Sequence, residues 1–286
     1  MTDDASTSRM DGSRSSVQPF VSVIVPSYNM ADYLPEALHS VLDATFEDLE
    51  VIVVDDGSTD ETTSVAERFT DADSTCFDDR VQYLYQENQG KAAAVNRGLR
   101  VARGSYVTIL DADDRIPDDG LQARCEAARQ TDAPLVIGGF EVFDETGTTK
   151  GRRDVPSGLS ASALYRQFFL WHKSPFHLNA CLISADLIKR VGPFDERLRR
   201  CQDIDYSIRL LREVPTLQWV HAVVYGYRKH RSSYRNRMEV RLNTMQHRPL
   251  VYWKNYEAPL RHLAVLCGLL LDFGKLLFEL SGNYER

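Results

Sequence analysis

The sequence predicts an α/β fold, a mostly parallel central sheet with helices on both faces and further helices at the C-terminal end. Three observations carry that expectation. Short β-branched runs alternate with stretches of helical period as far as Asp119. The runs end in polar turns rich in Asp, Ser and Gly, as strands feeding a ligand-binding edge do. A chain of 286 residues, 43% hydrophobic and 26% charged, also buries a sizeable core without disulfide or structural metal.

Phe20 to Pro26 (FVSVIVP) reads as a buried strand, being apolar and β-branched throughout. The next helix has Pro35 near its start and Leu34, Leu38, Val41 and Leu42 on one face. Glu50 to Val54 is the second strand. Ser58 and Glu61 have capping-box spacing, which predicts a helix beginning there and burying Val65 and Phe69. The third strand is Val81 to Tyr85. After it, Ala92, Val95, Leu99 and Ala102 keep helical spacing up to a closing Gly104. Tyr106 to Leu110 forms the fourth strand. Beyond it the pattern gives a helix over Gly120 to Gln130, a strand over Leu135 to Phe143 and a helix over Ser160 to Trp171. A strand over Ala180 to Ser184, a helix over Asp203 to Arg212 and a strand over Leu217 to Tyr225 follow, then helices.

Bulk properties narrow the function. A formal net charge of −7 argues against a nucleic-acid binder, which needs clustered Lys and Arg. Arg228, Lys229, Arg231, Arg235, Arg237 and Arg241 form one basic stretch, read either as a solvated helix face or as an anion- or membrane-facing one. The five cysteines are scattered and never in a CxxC pair, so a reducing cytoplasm is expected. Residues 1–18 read as a disordered leader without the apolar stretch of a signal peptide. Leu260 to Leu280 is apolar but interrupted by Arg261, Asp272, Lys275 and Glu279. It reads as a docked amphipathic helix, with peripheral contact at the cytoplasmic membrane face as the other reading.

The chemistry is expected at the carboxyl ends of the strands. The first strand delivers Pro26-Ser27-Tyr28-Asn29, the second Asp55-Asp56-Gly57-Ser58, the fourth Asp111-Ala112-Asp113-Asp114. In a parallel sheet all three loops open on one crevice. Carboxylates crowded there repel and raise one another's pKa, which a divalent cation relieves. Mg²⁺ characteristically takes one or two carboxylates and completes its shell with substrate phosphate and water. Single Asp-Asp pairs after strands are ordinary turn and cap residues; two clusters after neighbouring strands point to a metal and a phosphate-bearing substrate.

Val23-Ile24-Val25-Pro26-Ser27-Tyr28-Asn29, Val53-Val54-Asp55-Asp56-Gly57-Ser58-Thr59-Asp60, Asn88 to Gly98 and Leu110-Asp111-Ala112-Asp113-Asp114 resemble, in that order, the motifs of glycosyltransferase family 2. The resemblance resumes at Gly192-Pro193-Phe194-Asp195-Glu196 and Gln202-Asp203-Ile204-Asp205-Tyr206. It implies the GT-A fold, which is Rossmann-like, a nucleoside diphosphate sugar donor (UDP-sugar first) and inversion at the anomeric carbon. It also implies a domain over 19–235, with a nucleotide-binding half (19–119) and an acceptor-binding half (120–235). A C-terminal helical extension is expected over 236–286.

The resemblance further implies roles. Pro26, Ser27 and Tyr28, with Asn29, would line the nucleoside pocket. Asp56, or Asp55, would accept a hydrogen bond from the base, and Lys91 would lie near base or phosphate. Asp111, with Ala112 beside it, would face ribose or sugar, and Asp113 would bind Mn²⁺ or Mg²⁺. Many relatives carry Arg where this chain has Val95, so a phosphate contact made there must come from elsewhere. Asp203 would be the general base, a role typically worth about 10²–10⁴-fold in rate. Gln202 stands where the family often has Glu. Read from spacing alone, Asp203 is a helix cap and Asp205 an i,i+4 partner of Arg209.

Tyr227-Arg228-Lys229-His230-Arg231-Ser232-Ser233 is similar to a late family segment, in which His230 would complete the metal shell or touch the diphosphate. Trp171, His172, Ser174, Pro175, Phe176, His177 and Asn179 read as a sugar-binding wall or as core packing. The acceptor class stays open among saccharide, lipid-linked and protein acceptors, as does oligomeric state. Two other functions fit an acidic α/β nucleotide site: a sugar-nucleotide pyrophosphorylase or nucleotidyltransferase, and a non-catalytic sugar-nucleotide-binding subunit. The first would want a Gly-rich phosphate loop where Pro26-Ser27-Tyr28-Asn29 stands.

Overall fold

The structure, a computed structural model, describes residues 18–154, 158–171, 174–230 and 247–256, with 262, 265–267, 269 and 270 besides. The leader over 1–17, His172, Arg231, Ser232, Ser233, Arg235, Arg237, Arg241 and most of the 260–280 stretch lie outside the described residues, as does the side chain of Trp171.

The elements run β1 (Val21–Ser27), α1 (Leu34–Leu42), β2 (Leu49–Asp55), α2 (Thr62–Thr70), β3 (Val81–Tyr85), α3 (Lys91–Val101) and β4 (Tyr106–Ile109). They continue with α4 (Gly120–Thr131), β5 (Leu135–Asp144), β6 (Thr149–Arg153), α5 (Ala161–Trp171), a 3₁₀ turn Leu178–Ala180, β7 (Cys181–Ser184), α6 (Ala185–Val191), α7 (Gln202–Glu213) and β8 (Gln218–Lys229). β1 and β2 are buried at every residue, which is why their sequences are continuous apolar runs and do not alternate.

The eight strands form one sheet in the order β3-β2-β1-β4-β7-β5-β6, with β8 paired to β5. β1 lies parallel between β2 and β4, β3 extends β2 in parallel, and β8 runs parallel to β5. The expected mostly parallel sheet is therefore present, with β7 inserted antiparallel between β4 and β5. Leu38, Phe69 and Leu121 pack on one face, whereas Leu164, Leu187, Ile208 and Tyr252 pack on the other. Each such fully buried side chain contributes about 1.5–3 kcal/mol.

Local departures from the sequence reading have identifiable causes. Ser58 and Glu61 do not form a capping box: α2 starts later, at Thr62. The Asp60 carboxylate accepts from the Thr62 N–H at 3.0 Å, while the Ser58 hydroxyl accepts from the Asn29 N–H at 2.9 Å. Gly104 does not close α3, whose last residue is Val101. It is glycine because a Cβ there would lie 2.5 Å from the Ser22 backbone nitrogen. β6 and α6 carry no clear periodic signal, since β6 is exposed throughout and α6 buries only Leu187.

Residues 247–255 are helical, and Val251, Tyr252 and Tyr256 are buried in the same cluster as α5 and α7. This short helix is thus docked on the domain. Among the described residues no helix is long and apolar enough to cross a membrane.

Candidate active site

Because β1, β2 and β4 are parallel neighbours, their C-terminal loops meet at one edge of the sheet. Two backbone bonds bring them together: Asp56 N–H donates to the Ser27 carbonyl at 2.8 Å and Leu110 N–H to the Ile24 carbonyl at 2.9 Å. Between them opens a cleft of about 580 Å³ lined by Pro26, Ser27, Tyr28, Asp56, Lys91, Asp111, Ala112 and Asp113. The Ser27 hydroxyl is buried there with no hydrogen-bond partner among the described residues. Tyr28 is 45% exposed at the rim, an aromatic face available to a planar ligand.

Asp56 is buried and shapes the cleft wall by accepting from Gln86 Nε2 at 2.7 Å and from the N–H groups of Gln89 and Gly90 at 2.8 and 2.7 Å. Two expected nucleoside contacts are placed differently. Asp55 is fully buried behind the loop, its carboxylate accepting from Ser58 N–H, the Thr63 hydroxyl and the Tyr83 hydroxyl at 2.8, 2.9 and 3.0 Å. Asn29, at φ 54°, staples the first two loops, its side-chain oxygen accepting from Thr59 N–H at 2.8 Å. Both residues build the cleft and neither belongs to its lining: the Asp55 carboxylate is spent on its own turn, and the Asn29 N–H and side-chain oxygen are spent between the two loops.

Asp111, Asp113 and Asp114 each bring one carboxylate oxygen within 4.8 Å of the others. Asp114 is 1% exposed; desolvation, then Asp111 and Asp113, push its carboxyl up to about 8. Its oxygens are taken by the Tyr225 hydroxyl and by the Arg228 N–H. Asp111 also resists desolvation, yet the Lys91 ammonium at 2.6 Å holds its carboxyl below the usual range. Lys91 in turn is raised, despite its own desolvation, by Asp111 and then Asp203. His230 Nε2 lies 2.8 Å from Asp113 Oδ2.

This donor set suits Mn²⁺ or Mg²⁺, being carboxylate oxygens with an imidazole beside them. Asp111 and Asp113 are the partly open pair, with His230 at hand, whereas Asp114 is locked into the fold.

From the second half Arg200 lines the cleft, whereas Asp203 lies outside that lining. Asp203 is exposed in the first turn of α7, and its charge acts on both Lys91 and His177. The N-cap of α7 is Cys201, with no side-chain cap bond, so the capping role read from spacing is not the one Asp203 plays. Asp205 is fully buried and paired with Arg209 at 2.9 Å, the i,i+4 contact its spacing predicts.

The family model for Glycosyl transferase family 2 matches residues 22–191, more than half of the chain. The chain belongs to glycosyltransferase family 2. Streptococcus pneumoniae GlyG, a glycosyltransferase, is 39% identical over 127 residues, covering 44% of this chain and 40% of GlyG. S. aureus TarS in complex with UDP-GlcNAc superposes with a TM-score of 0.64 at 18% identity, covering 88% of this chain and 72% of that one. The mannosyltransferase PcManGT from Pyrobaculum calidifontis, in complex with GDP-Man and Mn²⁺, gives 0.60 at 23% identity over 88% and 69%. These superpositions show the GT-A fold. The chain spans 40%, 32% and 64% of the length of three curated relatives it matches.

Set in that family-2 fold, several site residues escaped the sequence reading. Arg200 lines the cleft, and Arg199 donates to the Gln89 carbonyl at 3.1 Å. Their position just before the Gln202-Asp203 helix start was the available signal. Tyr225 looked like a plain strand residue, yet its hydroxyl links Asn179, Asp111 N–H and Asp114. Arg124, fully buried, donates to the Thr108 hydroxyl and to the Asn179 and Cys181 carbonyls, with burial pushing its guanidinium down to about 10. His177, already singled out in the sequence, stacks on Tyr225, ring centroids 5.0 Å apart. Desolvation depresses its pKa, so its ring reads as a neutral wall.

Proposed function

We propose that the chain is an inverting, metal-dependent glycosyltransferase that moves a sugar from a nucleoside diphosphate donor, UDP-sugar first, to an acceptor hydroxyl. The observation that carries this is one cleft holding Asp56, Lys91, Asp111 and Asp113, with Asp203 close enough to bear on the Lys91 charge. The UDP-GlcNAc and the GDP-Man with Mn²⁺ held by the two fold neighbours support the ligand class.

Pro26, Ser27 and Tyr28 receive the nucleoside, and Asp56 accepts from the base. Lys91 turns from Asp111 towards the diphosphate, and Asp111 faces ribose or sugar. Asp113 and His230, with Asp111, would hold Mn²⁺ or Mg²⁺, which when bound stabilises the charge of the leaving diphosphate. Asp203 takes the acceptor hydroxyl proton as that oxygen bonds to the anomeric carbon. The bond from the anomeric carbon to the phosphate oxygen breaks, and its electron pair leaves on the diphosphate. The acceptor is a saccharide, a lipid-linked sugar or a protein. Peripheral membrane contact belongs to the same reading, supported by the exposed Leu250, Trp253, Leu266 and Leu270 of the C-terminal segment.

Incubation with UDP-, GDP- and dTDP-sugars and Mn²⁺ tests the reaction class. Slow metal-dependent release of the nucleoside diphosphate is expected. Pyrophosphate-dependent release of UTP would favour a nucleotidyltransferase, and nucleotide binding with neither product a non-catalytic subunit.

A further inference from the structure

We propose that Arg228 is the positioning residue of the cation site and that Glu36, on a different element, sets its hold. The inference rests on the reading of Asp111 and Asp113 as the cation's seat. Arg228 stands near the end of β8 and is 4% exposed. Its Nε donates to the Asp113 carbonyl at 2.6 Å, and its N–H to Asp114 Oδ1 at 2.6 Å. Its Nη2 donates to Glu36 Oε2 at 2.5 Å. The guanidinium is centred 4.5 Å from the Phe143 ring and 5.2 Å from Tyr33.

Two residues further on, His230 meets the Asp113 carboxylate and sets its ring 5.0 Å from the same Tyr33. The backbone and the side chain of Asp113 are therefore both fixed from one short segment, and that segment is anchored by the first turn of α1. Arg115 reinforces the anchor, stacking on Phe143 at 4.1 Å and approaching Glu36 at 4.0 Å.

The arrangement needs arginine. One planar fork serves the Asp113 carbonyl and Glu36 in two directions while its faces lie on aromatic rings, and an ammonium has no such geometry. Glu36 follows the Pro26–Asn29 loop in the chain, so the nucleoside wall and the cation seat are joined through a contact that touches neither ligand. Outer residues of this kind orient a metal's ligands and thereby tune its affinity.

The test compares the full chain with Arg228→Lys, Arg228→Met, Glu36→Gln and Asp113→Ala. Mn²⁺ affinity is read by spin resonance of free Mn²⁺ at saturating UDP, UDP affinity in EDTA by calorimetry, and folding by thermal melting. Both Arg228 variants are expected to weaken Mn²⁺ by about 10–100-fold, Glu36→Gln by less, with UDP affinity in EDTA within about twofold of wild type. Folded variants with unchanged Mn²⁺ affinity would overturn the proposal, as would equal losses of UDP binding with and without Mn²⁺. If Arg228→Met fails to fold, Arg228→Lys and Glu36→Gln still decide. Wild-type protein that takes up no Mn²⁺, or Asp113→Ala that binds it normally, removes the cation seat itself and is told apart by that control.

Discussion

Asn96 and Phe194 grip each other twice: Asn96 Nδ2 donates to the Phe194 carbonyl at 3.0 Å, and Phe194 N–H donates to Asn96 Oδ1 at 2.8 Å. The pair imitates a rung of sheet between a helix and a loop. It fastens α3 to the Gly192–Glu196 turn, whose Phe194 ring stacks on Tyr206 of α7 with centroids 3.8 Å apart. α7 carries Asp203, so the pair ties the proposed base to the half of the domain that holds the cleft.

Asn96→Ala should therefore cost more than a surface change. Asn96 is 3% exposed, and the variant leaves a buried N–H and a buried carbonyl without partners, each worth about 1–3 kcal/mol. Urea unfolding should show a loss of roughly 2–4 kcal/mol. A loss below about 0.5 kcal/mol, the scale of an ordinary surface substitution, would show that the turn is held by other means.

Asp205→Ala should loosen the C-terminal segment. The Asp205 carboxylate, fully buried, holds Arg209 at 2.9 Å and Asn255 Nδ2 at 2.8 Å, with Lys254 at 3.3 Å. Removing one member of such a buried charge pair costs about 3–5 kcal/mol. Hydrogen exchange should also speed up across residues 247–256, and unchanged protection there would contradict the docking role.

Much of this was legible in the sequence. Strands β1, β2 and β4 and the acidic turns announce themselves because a buried parallel strand reads as a near-continuous apolar run, and its loop opens on the ligand edge. Asp113 and His230, 117 residues apart, meet at 2.8 Å, and the metal role expected of them remains a proposal. Other features were illegible because their cause is tertiary. Gly104 looks like a helix terminator until the Ser22 backbone is seen against it. Asp55 and Asp56 are adjacent and alike, yet only the fold shows that the first is spent on Ser58, Thr63 and Tyr83. Arg228 read as one more basic residue in a charged run, because Glu36 and Asp113 lie far from it in the chain.

Gly104→Ala should destabilise although Gly104 does not terminate α3. The added methyl would meet the Ser22 nitrogen at 2.5 Å and the Tyr106 carbonyl at 2.7 Å. Backbone atoms cannot step aside, so about 1–3 kcal/mol is expected from overpacking. A melting temperature equal to wild type would show that the backbone around Ser22 accommodates the methyl without cost.

Acid should remove a modest stabilisation at Asp78. The Arg80 guanidinium donates to this carboxylate at 2.9 and 2.7 Å and holds its pKa below the usual carboxylate range against partial burial. A folded-state pKa below the unfolded value of about 3.9 stabilises at neutral pH and loses that effect as pH falls through the lowered value. The pair is partly exposed, so the effect is under about 1 kcal/mol. Unfolding free energies of wild type and Asp78→Asn should differ near pH 7 and converge towards pH 2; a constant gap would assign the difference to something other than this charge.

The most direct measurement takes one preparation of Asp203→Asn and reads both nucleotide-sugar binding by calorimetry in Mn²⁺ and turnover of the same donor. Binding equal to wild type with turnover reduced by about 10²–10⁴-fold is expected of a lost general base. Near-normal turnover would take Asp203 out of the mechanism.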